Sequence, residues 1–162
     1  MNQGSVIDAW DGRFVGHVQQ ARLSGDQANE DVFFDGHNLV VDAALEVMIR
    51  SLLGQEEIRG VEFGSSGGTP VSRGLRTIRG PVGFAQAGTS SNTRPFVSRD
   101  GAGLRSIGTW TAVFTAPQPL TYDMLGLVSS SNLLFAAVSF DPVSLAASET
   151  VAVRWTILLR GT

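Results

Sequence analysis

Gly64-Ser65-Ser66-Gly67-Gly68 fits the spacing G-x-S-x-G, with which many hydrolases set a serine nucleophile on a tight strand-to-helix turn. In that chemistry the serine oxygen attacks an acyl carbon while a histidine takes its proton. Backbone N–H groups beside the turn hold the oxyanion. The neighbours do not supply these parts. Thr69-Pro70-Val71-Ser72-Arg73-Gly74 follows, and its glycine and β-branched residues disfavour a long helix. The two histidines, His17 and His37, both lie upstream of Ser66. Alternating strands and helices do not flank the motif. The stretch therefore reads as a glycine loop, and no catalytic residue is assigned.

Other reactive groups are scarce. The chain holds no cysteine, which excludes disulfides, thiolate metal sites and thiol nucleophiles. All 12 basic residues are arginine, so a phosphate-loop lysine and a Schiff-base lysine are excluded as well. His17 and His37 read as satisfied surface or turn residues. The loop Gly25-Asp26-Gln27-Ala28-Asn29-Glu30-Asp31 gathers carboxylates, but Ala28 stands where a calcium loop needs an oxygen ligand. Glu56-Glu57 reads as a hydrated surface pair. No metal and no cofactor is expected. Trp110 and Trp155 sit in alternating runs and read as packing residues, and Trp10 could serve a sugar site. Arginines 73, 76, 79, 94, 99 and 105 gather in the middle of the chain. Arginine's planar fork suits protein interfaces. Arg73, Arg76, Arg79, Arg94, Phe96 and Arg99 are the expected partner contacts.

The elements that must carry these residues are mostly strands. The 162 residues suit one domain, 43% are hydrophobic, and only 17% are charged. With a net charge of -3 there is no basic field for nucleic acid. No run reaches the length of a membrane span, and Met1 to Trp10 has no signal-peptide pattern. Asp11-Gly12 between alternating runs predicts a hairpin. Leu45, Met48, Ile49, Leu52 and Leu53 recur at helical spacing and predict one amphipathic helix over about 42–53, with Asp42 as N-cap and Gly54 as stop. Ile58 to Phe63, Thr109 to Thr115, Tyr122 to Val128, Leu133 to Phe140 and Thr150 to Arg160 read as strands. Asp141-Pro142 is expected to break the fourth of these. Short strands with tight turns predict a mainly β fold, an antiparallel β-sandwich of jelly-roll type in one domain. Residues 64–103, rich in Gly, Ser, Thr and Arg, read as a long irregular arm.

In this order the residues carry a resemblance. His37-Asn38-Leu39-Val40-Val41-Asp42-Ala43-Ala44-Leu45 leads into a helix. Ile58-Arg59-Gly60-Val61-Glu62-Phe63-Gly64 runs into a glycine loop, and Val151-Ala152-Val153-Arg154-Trp155-Thr156-Ile157 closes the chain. The pattern resembles small structural proteins of tailed-bacteriophage virions, with Ala43-Ala44 where those proteins usually carry N-x-G. The resemblance implies a non-enzymatic virion protein, assembled in the host cytoplasm as a homo-oligomer among other virion proteins. It implies a tail, baseplate or fibre-anchoring station, or alternatively a capsid decoration (cement) protein. A carbohydrate- or receptor-binding module is the further alternative. No nucleic acid and no membrane partner is expected.

Overall fold

Alternation of apolar and polar side chains dictates strands, because successive side chains of extended backbone point to opposite faces. A computed structural model of the chain describes residues 14–24, 29–98 and 101–161. The strands are β1 (Phe14–Ser24), β2 (Asn29–Val40), β3 (Ile58–Gly64), β4 (Pro81–Ser98), β5 (Gly101–Thr115), β6 (Leu120–Ser129), β7 (Leu134–Leu145) and β8 (Thr150–Gly161). One helix, α1 (Ala43–Leu52), joins β2 to β3. The Asp11-Gly12 turn, Trp10, Arg99 and residues 25–28 lie outside the described residues.

The expected sandwich is overturned. All pairings are antiparallel, and the strands close into a barrel in the order β1-β2-β7-β6-β3-β4-β5-β8. An apolar inner face looks the same in a sandwich and in a barrel. The difference lies in which edges meet. β4 hydrogen-bonds to both β3 and β5, and β2 to both β1 and β7, so the two halves of the sheet share these strands and close on each other. The irregular arm is corrected too. Residues 81–98 form β4, and the chain returns as β5 in a continuous ladder from Ala87↔Ala112 to Ser98↔Gly101. Among the described residues of that stretch, only 65–80 run without strand or helix. Gly88, Thr89, Ser90 and Ser91 of this strand are exposed and carry no apolar alternation that would announce it.

The inward sets match the alternation. On β8, Val151, Val153, Trp155 and Ile157 are buried, and on β5 Ala112 and Phe114 are. Phe63 stacks on Phe114 at 4.5 Å and meets Tyr122 edge-on at 5.0 Å. Gln20 is fully buried among them, and its Oε1 accepts a hydrogen bond from the Tyr122 hydroxyl at 2.9 Å. Burial pushes the Tyr122 hydroxyl above its ordinary pKa. β6 and β7 are covered on both faces, because residues 65–80 lie across their outer side. There Ile78, Val71 and Leu75 pack with Met124, Val128, Leu134 and Ala137. Asp141-Pro142 does not end β7. The ladder runs from Met124↔Ser139 to Tyr122↔Val143, so Phe140 to Pro142 are absorbed in a bulge.

The helix has the expected bounds, and most of its apolar stripe faces outward. Gly54 takes φ 69° and stops α1, as a C′ glycine does. Asp42 stands at the N-cap without a side-chain cap bond. Its carboxylate pairs instead with Arg73 at 3.0 Å. Ala43, Ala44 and Val47 form the buried face, while Leu45, Ile49, Leu52 and Leu53 point outward. Small side chains let the helix backbone come close to the barrel, and the larger stripe is left on the outside.

Candidate functional site

Ser66 sits where β3 gives way to the glycine loop, and its hydroxyl is committed to a carboxylate. Asp123, from β6, accepts hydrogen bonds from both the Ser66 backbone N–H and its Oγ, the latter at 2.8 Å. Ser66 Oγ in turn accepts from the Gly68 N–H at 3.1 Å. Gly67 and Gly68 both have positive φ, which only glycine adopts without strain, and no helix follows. His17 and His37 are occupied elsewhere. His17 Nε2 contacts the Asp35 carboxylate, the two imidazoles meet edge-on at 6.0 Å, and His37 Nδ1 lies 3.3 Å from the Gly16 carbonyl. The G-x-S-x-G stretch is a turn lock tying β3 to β6. Among the described residues, no three of His, Asp and Glu are grouped to hold a metal ion, and no helix is long and apolar enough to cross a membrane.

The expected partner contacts divide between two places. Arg73 and Arg76 lie on the 65–80 segment and reach back to α1, Arg73 to Asp42 and Arg76 to Glu46 at 2.7 Å. The Arg76 hydrogen bond holds the Glu46 carboxyl below its ordinary range. The Arg79 carbonyl accepts the Ser65 N–H at 3.0 Å, and its guanidinium Nη1 is buried without a partner. Arg73 and Arg76 therefore tie the segment to α1, and the Arg79 carbonyl closes it on Ser65. Arg94 and Phe96 belong to β4.

Glu56, expected as half of a hydrated pair, is a buried anchor. Its side chain is 1% exposed. It accepts from Ser131 Oγ at 2.6 Å, from Ser130 Oγ at 2.7 Å and from the Ser131 N–H at 2.7 Å. Those hydrogen bonds, Ser131's first, hold its carboxyl down at about 2. Glu56 thus fixes the β6–β7 turn against the end of α1. Sequence reasoning missed it. The one available signal was the run Ser129-Ser130-Ser131-Asn132, a turn rich in donors that needs an acceptor.

Beside this anchor β3 and β4 part company. Their ladder ends at Gly60↔Gln86. Beyond that point a cleft of about 470 Å³ opens between the two strands, with Ser51, Glu56, Glu57 and Ile58 on one wall and Thr89, Ser90 and Ser91 on the other. Half-buried Trp110 and Gly108 also line it, and the indole lies so close over Gly108 that an added Cβ would stand 2.6 Å from its ring. From Ala87 to Ser98, β4 pairs with β5 alone among the described residues, leaving a row of backbone groups on its other edge. A second seam lies between β2 and β7, which meet only at Leu39↔Ala137 and Val40↔Ala136. Phe33, Phe34, Phe140 and Val143 line a cleft of about 460 Å³ along it.

Compared with models of protein families, with curated proteins and with solved structures, the chain finds no match. The geometry is that of a closed barrel bearing a one-sided β-ribbon and an outward apolar helix stripe.

Proposed function

We propose that the protein is a non-enzymatic structural subunit that assembles with neighbouring proteins, and that its setting is the particle of a tailed phage. The observation that carries the reading is the Ala87–Ser98 edge of β4, which lacks a second strand among the described residues. An unpaired edge on a rigid barrel is a template for a neighbour's strand, which supplies the missing backbone hydrogen bonds. The twelve paired positions of this ribbon outnumber those of a mean strand of about five or six. The resemblance of its short motifs to those of phage structural proteins favours a tail, baseplate or fibre-anchoring station, with shell decoration next.

The test shortens the ribbon. Thr93 and Ser106 are register partners, so residues 94–105 can be replaced by a two-residue Asn-Gly turn. The shortened chain is expected to fold, with its far-ultraviolet circular dichroism still that of a β-protein, and to be missing from purified particles by mass spectrometry. Undiminished incorporation would overturn the role of the ribbon.

The cleft beside Trp110 favours a second reading, recognition of a glycan. An indole beside the hydroxyl groups of Ser51, Thr89, Ser90 and Ser91 offers a stacking surface with hydrogen-bonding groups around it. Quenching of tryptophan emission by a glycan, lost in Trp110→Ala, would support it, and no response across a glycan panel would remove it.

A further inference from the structure

Part of the barrel wall is a sheet in the order β2-β1-β8-β5-β4. Its two outermost strands are the corners through which the barrel closes, and each is left open over most of its length. β4 has no second neighbour from Ala87 to Ser98 among the described residues. β2 meets β7 only at Leu39 and Val40, so from Asn29 to Asn38 it too has one neighbour among the described residues. An open edge is a row of unpaired backbone groups on which another strand can add. This one sheet therefore carries two such rows, on opposite sides.

Charge distinguishes the two edges. β2 carries Glu30, Asp31 and Asp35, all exposed, and no arginine. Asp35 also touches His17. Arg22, the register partner of Asp31, sends its guanidinium to Glu149 and to the Ser144 carbonyl. β4, β5 and β8 hold Arg94, Arg105, Arg154 and Arg160, and neither Asp nor Glu. The ladders set Arg94 opposite Arg105, and Arg105 opposite Arg160. Like charges directly opposite across strands cost stability, and carboxylates brought by a neighbour offset that cost. Apolar residues match as well. Phe96 and Val97 stand on the open part of β4. The cleft beside the open part of β2 is lined by Phe33, Phe34, Phe140 and Val143, with Asp141 among them.

We infer that the open edge of β4 in one copy pairs with the open edge of β2 in the next, which brings Phe96 and Val97 to the β2–β7 cleft. This rests on the reading of β4 as a template for a neighbour's strand, and names that neighbour as a second copy of the chain. The symmetric alternatives are opposed by charge. β4 on β4 would set the arginine row against its own copy, and β2 on β2 would gather carboxylates. Only the head-to-tail contact joins unlike charges. Each step from β2 through β1, β8 and β5 to β4 is antiparallel, so β2 and β4 run the same way and meet as parallel strands. A head-to-tail contact repeats from copy to copy, as a ring or a filament, and in a ring no copy keeps an open edge.

Two variants of the full chain test the contact by sedimentation, with circular dichroism as the check on folding. One carries the shortened ribbon, 94–105 replaced by Asn-Gly, and keeps its β2 edge. If that chain does not fold, Arg94→Glu with Arg105→Glu takes its place. The other carries Glu30→Arg with Asp31→Arg, at exposed positions of β2, and keeps its ribbon. The wild-type chain should form oligomers that grow with concentration. Each variant alone should associate at least about tenfold more weakly than wild type. Mixed, the two should form a heterodimer and nothing larger, because one sound ribbon meets one sound β2 edge. Combining both charge reversals in one chain should restore the wild-type oligomers. Wild type that stays monomeric up to about 1 mM, or either variant assembling alone as tightly as wild type, would overturn the head-to-tail pairing. A monomeric wild type whose shortened ribbon is still missing from particles sinks only the self-pairing. Head-to-tail oligomers whose ribbon-shortened form enters particles undiminished sink only the role of the ribbon in the particle.

Discussion

The β6–β7 and β4–β5 hairpins are both long antiparallel ribbons, and they are held by different things. β6 and β7 are packed on both faces. Leu125 and Leu127 lie within the barrel, Met124 and Leu134 lie under the 65–80 segment, and all four are fully buried. Their turn is clamped by Glu56. β4, past Gln86, has one neighbouring strand among the described residues, and Gly88 to Ser91 are exposed. The first ribbon is stabilised by burial, which is internal to the chain. The second is held by cross-strand backbone bonds on one edge, and its other edge is left for a neighbour.

The contrast can be broken at the packed ribbon first. Leu127→Ala removes a fully buried side chain and should destabilise by about 2–5 kcal/mol in urea unfolding. Next is Glu56→Gln, which puts an amide NH2 in a buried position where the carboxylate accepted three donors, and should lose about 1–3 kcal/mol at neutral pH. The Glu56 carboxyl is held at about 2 against an ordinary 4.5, so the native state binds its proton less readily than the unfolded chain. The stability it contributes is thus fully present above pH 4.5 and is lost as pH falls towards about 2. The gap between wild type and Glu56→Gln should close over that window, as followed by denaturant midpoints at stepped pH. A gap that stays constant to pH 2 would show that the anchor acts by shape and not by charge.

Glycine substitutions sharpen the same comparison. A Cβ at Gly126 in β6 would stand 2.4 Å from Leu134 Cδ2 and 2.5 Å from Ile78 Cδ1. Gly126→Ala should therefore destabilise by about 1–2 kcal/mol through overpacking. At Gly88 in β4 the nearest atom to such a Cβ is the Thr111 carbonyl oxygen at 4.0 Å. Gly88→Ala should change stability by no more than about 0.5 kcal/mol, with any gain coming from a less flexible unfolded chain. Equal losses at the two positions would contradict the picture of one packed and one open ribbon.

What could be read from the residues alone follows the same division. Strands with one face in the core announced themselves, as with Val151, Val153, Trp155 and Ile157 of β8, because burial imposes a period of two. β4 was read as part of an irregular arm, because its exposed Gly88, Thr89, Ser90 and Ser91 leave no such period. Periodicity placed α1 correctly and left open which of its faces the barrel takes. The apolar stripe centred on Ile49 is real, but Ala43, Ala44 and Val47 form the face that the barrel takes. Glu56 was legible only as a carboxylate, since its partners lie more than seventy residues away in the chain.

By itself the sequence determined that the chain is mainly β, where most of its strands run, which side chains of β8 share a face, and that G-x-S-x-G lacks the neighbours of a nucleophile. These are local properties, fixed by the spacing of side chains along extended backbone. Tertiary structure alone decided that the sheet closes into a barrel, that Ser66 and Glu56 are locked by distant partners, and which face of α1 is left outside. Each of these depends on backbone edges and polar groups far apart in the chain, and backbone hydrogen bonds carry no residue-specific signature.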